Sequence, residues 1–67
     1  MELSARNQLP GTVKTVTLGG IMAEVVVEVA GQEVVAAITR GAAERLNLQP
    51  GDAVTVIIKS TAVMIGK

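Results

Sequence analysis

The fold is decided by residues 33–58, which read EVVAAITRGAAERLNLQPGDAVTVII. Two β-rich runs, Glu33–Ile38 and Ala53–Ile58, flank a segment of helix formers over residues 41–46. Thr39 lies where a helix N-cap is needed, and a Pro-Gly turn precedes the second run. The pattern predicts a strand, a short helix and another strand.

The rest of the chain adds strands on both sides of this unit. The runs Thr12–Leu18 and Ile21–Val29 come before it, separated by paired glycines that suit a tight hairpin or bulge. The segment Ala62–Ile65 follows it as a fifth strand. One short helix between the third and fourth strands is typical of the OB fold. We therefore predict an all-β chain with one short helix, an OB-like five-stranded barrel forming a single domain over residues 1–67.

The predicted helix has one apolar side. Ala42, Ala43 and Leu46 are spaced so that they face the sheet.

The N-terminal segment Leu3–Leu9 is mixed in character. It ends at Pro10-Gly11, which predicts a break before the first strand.

Composition excludes several classes of function. The 67 residues include no Cys, no His and no aromatic residue, and six Lys and Arg balance six Asp and Glu. No disulfide, imidazole base or soft-metal site can form, and no aromatic platform can stack on nucleic acid bases. Yet 49% of the residues are hydrophobic, more than a small domain easily buries. Self-association is the first inference.

Catalysis and membrane insertion are not expected. Ser4, Ser60 and Thr61 lack a histidine base, and the carboxylates of Glu24 and Glu28 fall on the solvated face of a strand. No apolar run approaches the ~20 residues of a membrane span, and the N-terminus has no secretory pattern. The expectation is a non-enzymatic, cytoplasmic protein.

Three segments are rich in hydrogen-bond donors and contain no carboxylate. They are Ser4–Gln8, Thr39–Gly41 and Lys59–Thr61. Positive charge and N–H or O–H donors without carboxylates suit a small oxyanion. Each segment also has a purely structural interpretation, as a surface arm, a helix cap and a hairpin loop.

The hexapeptide Ser4-Ala5-Arg6-Asn7-Gln8-Leu9 resembles the opening of the molbindins, small molybdate-binding proteins of the Mop/TOBE family. The resemblance continues through Gly11, Val13 and Ala23-Glu24-Val25 and ends with Lys59-Ser60-Thr61 and Val63-Met64-Ile65. It implies an OB-like domain that forms a hexamer of three dimers with exchanged N-terminal strands. It also implies that molybdate, or tungstate, binds at subunit interfaces for intracellular molybdenum storage and homeostasis. The metal is then held only as its oxyanion, without direct metal ligands or a covalently bound cofactor.

The resemblance also assigns ligands. The family's binding serine and arginine fall on Ser4 and Arg6, and its lysine and following serine fall on Lys59 and Ser60. Such a chain is too small to surround a tetrahedral dianion, so the site would join residues 4–6 of one subunit to residues 59–60 of another.

Related molybdate-sensing domains add a threonine at the helix entrance, which falls on Thr39. They also use a serine three positions later, where this sequence has Ala42 and one donor fewer. Some family members have a second site on the symmetry axis, near which we place Asn7.

Two other hypotheses compete with oxyanion binding. Residues 46–52 and the strand that follows resemble the AbrB-type DNA-binding domains, and OB folds can bind nucleic acids. However, only Arg6 and Lys14 are positive among the first 39 residues, against four glutamates. The other hypothesis is an assembly protein without any ligand.

Overall fold

The protein is described by a computed structural model of residues 1–67. It contains four strands, one α-helix and one 3₁₀ turn. In chain order they are β1 (Asn7–Leu18), β2 (Met22–Val29), β3 (Gln32–Thr39), α1 (Arg40–Arg45), β4 (Ala53–Ile58) and the 3₁₀ turn Ser60–Ala62. The prediction of a mostly β chain with one short helix is confirmed. None of its helices is long and apolar enough to cross a membrane.

The strands form one antiparallel sheet in the order β3-β2-β1-β4. β1 serves two neighbours in turn, because residues 7–12 pair with β4 and residues 12–18 pair with β2. The register shifts between Val13 and Thr15, where Lys14 is the extra residue of a bulge. A bulge bends its strand and increases its twist, so the two halves of the sheet curl toward each other.

The core lies on the concave side of this curl. Val13, Val25 and Val27 are almost fully buried and form its centre, and the half-buried side chains of Val54, Val56 and Leu48 pack against them. The alternation of buried and exposed residues along β2 follows the period of two of a strand with one solvated face.

The core is small. Only five of the 67 residues are buried, and the other two are Ala23 and Ala43. Ile21, Met64 and Ile65 are each at least 80% exposed. Exposed apolar surface of this extent is typical of sites of protein–protein contact.

The first strand begins earlier than predicted. β1 starts at Asn7 and continues through Pro10-Gly11, where the sequence predicted a break. Over residues 7–11, β1 has only β4 as a neighbour, so one side of the strand needs no N–H donor. Proline is tolerated at such an edge.

The predicted fifth strand is wrong for the single chain. Residues 60–62 form the 3₁₀ turn, and Val63–Ile65 pair with no strand. A strand is stabilised by hydrogen bonds to a neighbour, and the apolar tail lies against neither edge strand of the sheet. The sheet therefore has four strands, and β3 and β4 are its open edges.

The helix is confirmed with one correction. The Thr39 hydroxyl accepts a hydrogen bond from the Ala42 amide at 3.1 Å, as an N-cap does, and Ala43 is buried. Leu46, predicted to face the sheet, is 62% exposed because the helix ends at Arg45 and Leu46 is its C-cap. Leu48 packs against the core instead.

Candidate oxyanion site

A small polar cleft lies where the two ends of the chain meet. Its volume is about 200 Å³, and its lining residues are Ser4, Ala5, Lys59, Ser60 and Thr61. The sheet register explains the meeting, because Asn7 pairs with Ile58. The residues just before β1 and just after β4 are therefore neighbours, although they stand at opposite ends of the sequence.

Hydrogen bonds shape the N-terminal side of the cleft. The Gln8 side-chain amide donates to the Ala5 carbonyl at 2.7 Å, and the Gln8 backbone N–H donates to the Arg6 carbonyl at 3.1 Å. Both bonds tie residues 5 and 6 to Gln8, at the start of the paired part of β1. They fix where Ser4 enters the cleft.

The 3₁₀ turn shapes the C-terminal side. The Ala62 N–H donates to the Lys59 carbonyl at 2.9 Å, and the Val63 N–H donates to the Ser60 carbonyl at 3.4 Å. The turn brings three consecutive polar side chains, those of Lys59, Ser60 and Thr61, to one cleft. In an extended strand, successive side chains would point to opposite faces.

The charges of the chain leave two cations available near this cleft. Lys14 pairs with Glu33, and Arg40 pairs with Glu44 at 3.1 Å. Neither Arg6 nor Lys59 takes part in an ion pair, and no carboxylate lines the cleft. A negative ion entering the cleft would therefore meet donors without a competing acidic side chain.

The Lys14 pair lies elsewhere and is a surface feature. The pKa of Lys14 is raised, first by the hydrogen bond to the Glu33 carboxylate and then by the negative charges of Glu33 and Glu28. Both partners are about half exposed, so solvent screens the pair. It links β1 to β3 and makes no contact with the cleft.

Thr39 is far from the cleft within one chain. Met22 pairs with Thr39 beside the Leu18 end of β1, whereas Lys59 follows Ile58 beside its Asn7 end. The 12 residues of β1 span roughly 36–40 Å measured along the strand, at about 3.3 Å per residue. No ion with hydrogen bonds of about 3 Å can reach both ends.

The structure thus brings together some of the predicted ligands and not others. Ser4, Lys59 and Ser60 share the cleft within one chain, whereas the prediction joined them across two subunits. Arg6 follows the lining residue Ala5 without lining the cleft itself. Asn7 is half-buried at the start of β1 and is also outside it.

Thr61 lines the cleft, although the prediction did not include it among the ligands. The signal was its place in the donor-rich segment Lys59–Thr61, whose turn geometry the sequence did not reveal.

Other concave surfaces have different chemistry. The largest groove, about 750 Å³, lies between β1, β4 and the end of α1 and is mostly apolar. This groove is large because the sheet edge is uncovered there. It does not contain a cluster of hydrogen-bond donors. Nowhere do three or more acidic side chains gather as they would around a metal ion.

Comparison with known proteins identifies the family. The family model for the TOBE domain matches residues 3–65. The chain belongs to the TOBE domain family. Molybdenum-pterin-binding protein 3 of Clostridium pasteurianum is 47% identical over 66 residues, which make up 97% of each chain.

Solved structures of similar proteins also match this chain. A molybdate binding protein from Sporomusa ovata superposes with a TM-score of 0.95 and 43% identity over the whole of both chains. The cytoplasmic molybdate-binding protein ModG, with molybdate bound, superposes with a TM-score of 0.83 and 41% identity. That match covers 90% of this chain and 43% of ModG. These relatives are named as molybdenum-pterin-binding or molybdate-binding proteins, in agreement with the non-enzymatic prediction.

Proposed function

We propose that this TOBE domain binds molybdate, as the free oxyanion, at sites shared between copies of the chain. The observation that carries the proposal is the cleft in which Ser4 meets Lys59 and Ser60 without any carboxylate. Tetrahedral oxyanions are bound by converging N–H and O–H donors and by positive charge. The names of the molybdate-binding relatives support this choice of anion.

Arg6 and Lys59 supply the charge in this proposal. They are two of the six basic residues, and Lys14 and Arg40 already have carboxylate partners. A dianion bound between Arg6 and Lys59 would be neutralised, and Ser4 and Ser60 would donate to its remaining oxygens. Arg6 directly follows the lining residue Ala5 in the chain.

Thr39 completes the site from a second copy. Its hydroxyl accepts from Ala42 and keeps its own hydrogen as a donor. Because Thr39 lies at the far end of β1, it can serve an ion held by Lys59 only if the chains associate. The exposed apolar surface and the open edges of β3 and β4 support such association.

The proposed assembly is the hexamer of three dimers with exchanged N-terminal strands. The segment before Asn7 lies outside the sheet, so its exchange would break no strand pairing of residues 1–6. Asn7 is proposed to lie near a second site on the symmetry axis, and tungstate to bind in the same way as molybdate. The proposed role is molybdenum storage and homeostasis in the cytoplasm, the compartment in ModG's description.

Titration calorimetry with sodium molybdate tests the site. Wild-type protein should give heat well above a sodium sulfate control. Arg6→Ala and Lys59→Ala should each weaken binding roughly tenfold or more, since a hydrogen bond to a charged group contributes about 1.5–3 kcal/mol. Lys67→Ala removes the same charge from the chain terminus and should leave the affinity unchanged.

The sharing of sites is tested separately by native mass spectrometry with and without molybdate. Assembled species that bind molybdate, and a monomer that does not, are the expected result. A monomer that retains molybdate at full affinity would contradict the shared site. Wild-type protein without molybdate heat above the sulfate control would contradict the function itself.

A further inference from the structure

We infer that Thr61 donates a hydrogen bond to the bound oxyanion, alongside Lys59 and Ser60. The inference rests on the proposed function and adds a ligand to the same site. Thr61 is one of the five residues that line the cleft. Four of the lining residues have polar side chains, and three of them, Ser4, Lys59 and Ser60, are already proposed as ligands. Thr61 is the fourth.

The backbone fixes Thr61 relative to its neighbours. The 3₁₀ turn is closed by the bonds from Ala62 to Lys59 and from Val63 to Ser60, and Thr61 lies inside both closures. The turn therefore fixes the backbone positions of Lys59, Ser60 and Thr61 relative to one another. An ion held by these two residues lies within the same 200 Å³ space as Thr61.

The Thr61 hydroxyl is free to donate. The side-chain hydrogen bonds of the chain involve Gln8, Lys14, Thr39, Arg40, Gln49 and Asp52, and none uses Thr61. Thr39 differs, because its oxygen already accepts from the helix. Thr61 is thus the threonine that can turn its whole hydroxyl toward an ion held by Lys59 of the same chain.

A fourth donor in the cleft would also compensate for a donor that is missing where the second copy contributes Thr39. Ala42 has no side-chain donor beside Thr39. The oxygens of a tetrahedral dianion accept several hydrogen bonds, so each additional donor from the protein strengthens binding. The Thr61 hydroxyl supplies one donor from the side of Lys59.

Two substitutions separate the hydroxyl from the shape of the side chain. Thr61→Val keeps the branched shape and removes the O–H, whereas Thr61→Ser keeps the O–H and removes the methyl group. Thr12→Val makes the same change as Thr61→Val on the exposed face of β1, away from the cleft. Each variant is titrated with sodium molybdate by calorimetry, after circular dichroism and native mass measurements.

Thr61→Val should weaken molybdate binding roughly ten- to a hundredfold, the loss expected for one hydrogen bond to a charged ligand. Thr61→Ser should stay within about threefold of wild type, and Thr12→Val should match wild type, as neither change removes a donor from the cleft.

Wild-type affinity in Thr61→Val would overturn the inference and leave the proposed function intact. Equal losses in Thr61→Val and Thr61→Ser would show that binding is sensitive to any change of this side chain, and would overturn the specific donor role of the hydroxyl. Failure of the wild type itself to bind molybdate above a sulfate control would overturn the proposed function and this inference together.

Discussion

Gly11→Ala should destabilise the protein through a steric clash between β1 and the end of β2. A Cβ atom added at Gly11 would lie 2.7 Å from the Glu28 carbonyl oxygen and 2.7 Å from Cγ1 of Val27. It would also lie 2.9 Å from Cγ2 of Val29. Real Cβ atoms essentially never come within 3.0 Å of such neighbours, so the backbone must shift.

The magnitude follows from two opposing effects. Overpacking of this kind costs about 1–3 kcal/mol, and loss of glycine's freedom in the unfolded chain returns about 0.4–1 kcal/mol. We expect a net loss of about 1–2 kcal/mol. For a domain of this size, that lowers Tm by roughly 5–15 °C.

The assay is thermal and urea unfolding at one protein concentration, followed by circular dichroism. Gly41→Ala is the matched control, since its added Cβ meets no atom within 4 Å and Gly41 lies inside α1. Alanine is the better helix former, so this variant should gain about 0.5–1 kcal/mol. The same chemical change thus has opposite signs at the two positions.

The change at Gly11 should also weaken molybdate binding, because Gly11 lies in the half of β1 that leads back to the cleft. A Gly11→Ala protein as stable as wild type, with an unchanged urea m-value, would refute the steric reasoning. A destabilised protein with wild-type molybdate affinity would refute the expectation that the packing of Gly11 against β2 affects the cleft.

Two further predictions concern the hairpin and the surface ion pair. Ala30 has a φ of 49° in the turn that joins β2 to β3, and this left-handed conformation disfavours alanine. Ala30→Asn should therefore raise Tm by about 3–6 °C in thermal unfolding. A fall in Tm would contradict this. Because the pKa of Lys14 is raised by Glu33, the stability from this pair is complete below the unfolded lysine pKa of about 10.4 and is lost as the pH rises through the higher folded value. Urea unfolding should therefore show a constant difference between wild type and Lys14→Met at pH 7–9 that shrinks at higher pH; a difference that persists unchanged to pH 12 would count against the pair.

Sequence patterns predicted the strands whose pairing is local. The β-branched run of β2 and the turn at Ala30-Gly31 specify a hairpin with β3 from short-range preferences alone. The start of β1 was missed because Pro10-Gly11 breaks a strand in most settings, and only its position at a sheet edge permits it here. That position depends on pairing with β4, which is distant in sequence.

The site was predictable in chemistry and less so in geometry. The donors without carboxylates among residues 4–8 and 59–61 suited an oxyanion, and the family resemblance supplied the choice of molybdate. Which donors meet depends on the Asn7–Ile58 register, which the sequence did not specify. The same register separates Thr39 from Lys59 and brings in Thr61. The failure of Val63–Ile65 to form a strand has a similar cause, because strand formation requires a neighbour and composition does not provide one.

The divided pairing of β1 has a consequence for the order of folding. β1, β2 and β3 are joined by short turns and can zip together locally, whereas pairing of Thr12 with Ala53 must close a much longer stretch of chain. Closing long loops is slow because their entropy must be lost before contacts compensate. We therefore expect β4 to dock last, so that the cleft forms only when folding is complete. A nascent or half-folded chain would then have no means of capturing the ion.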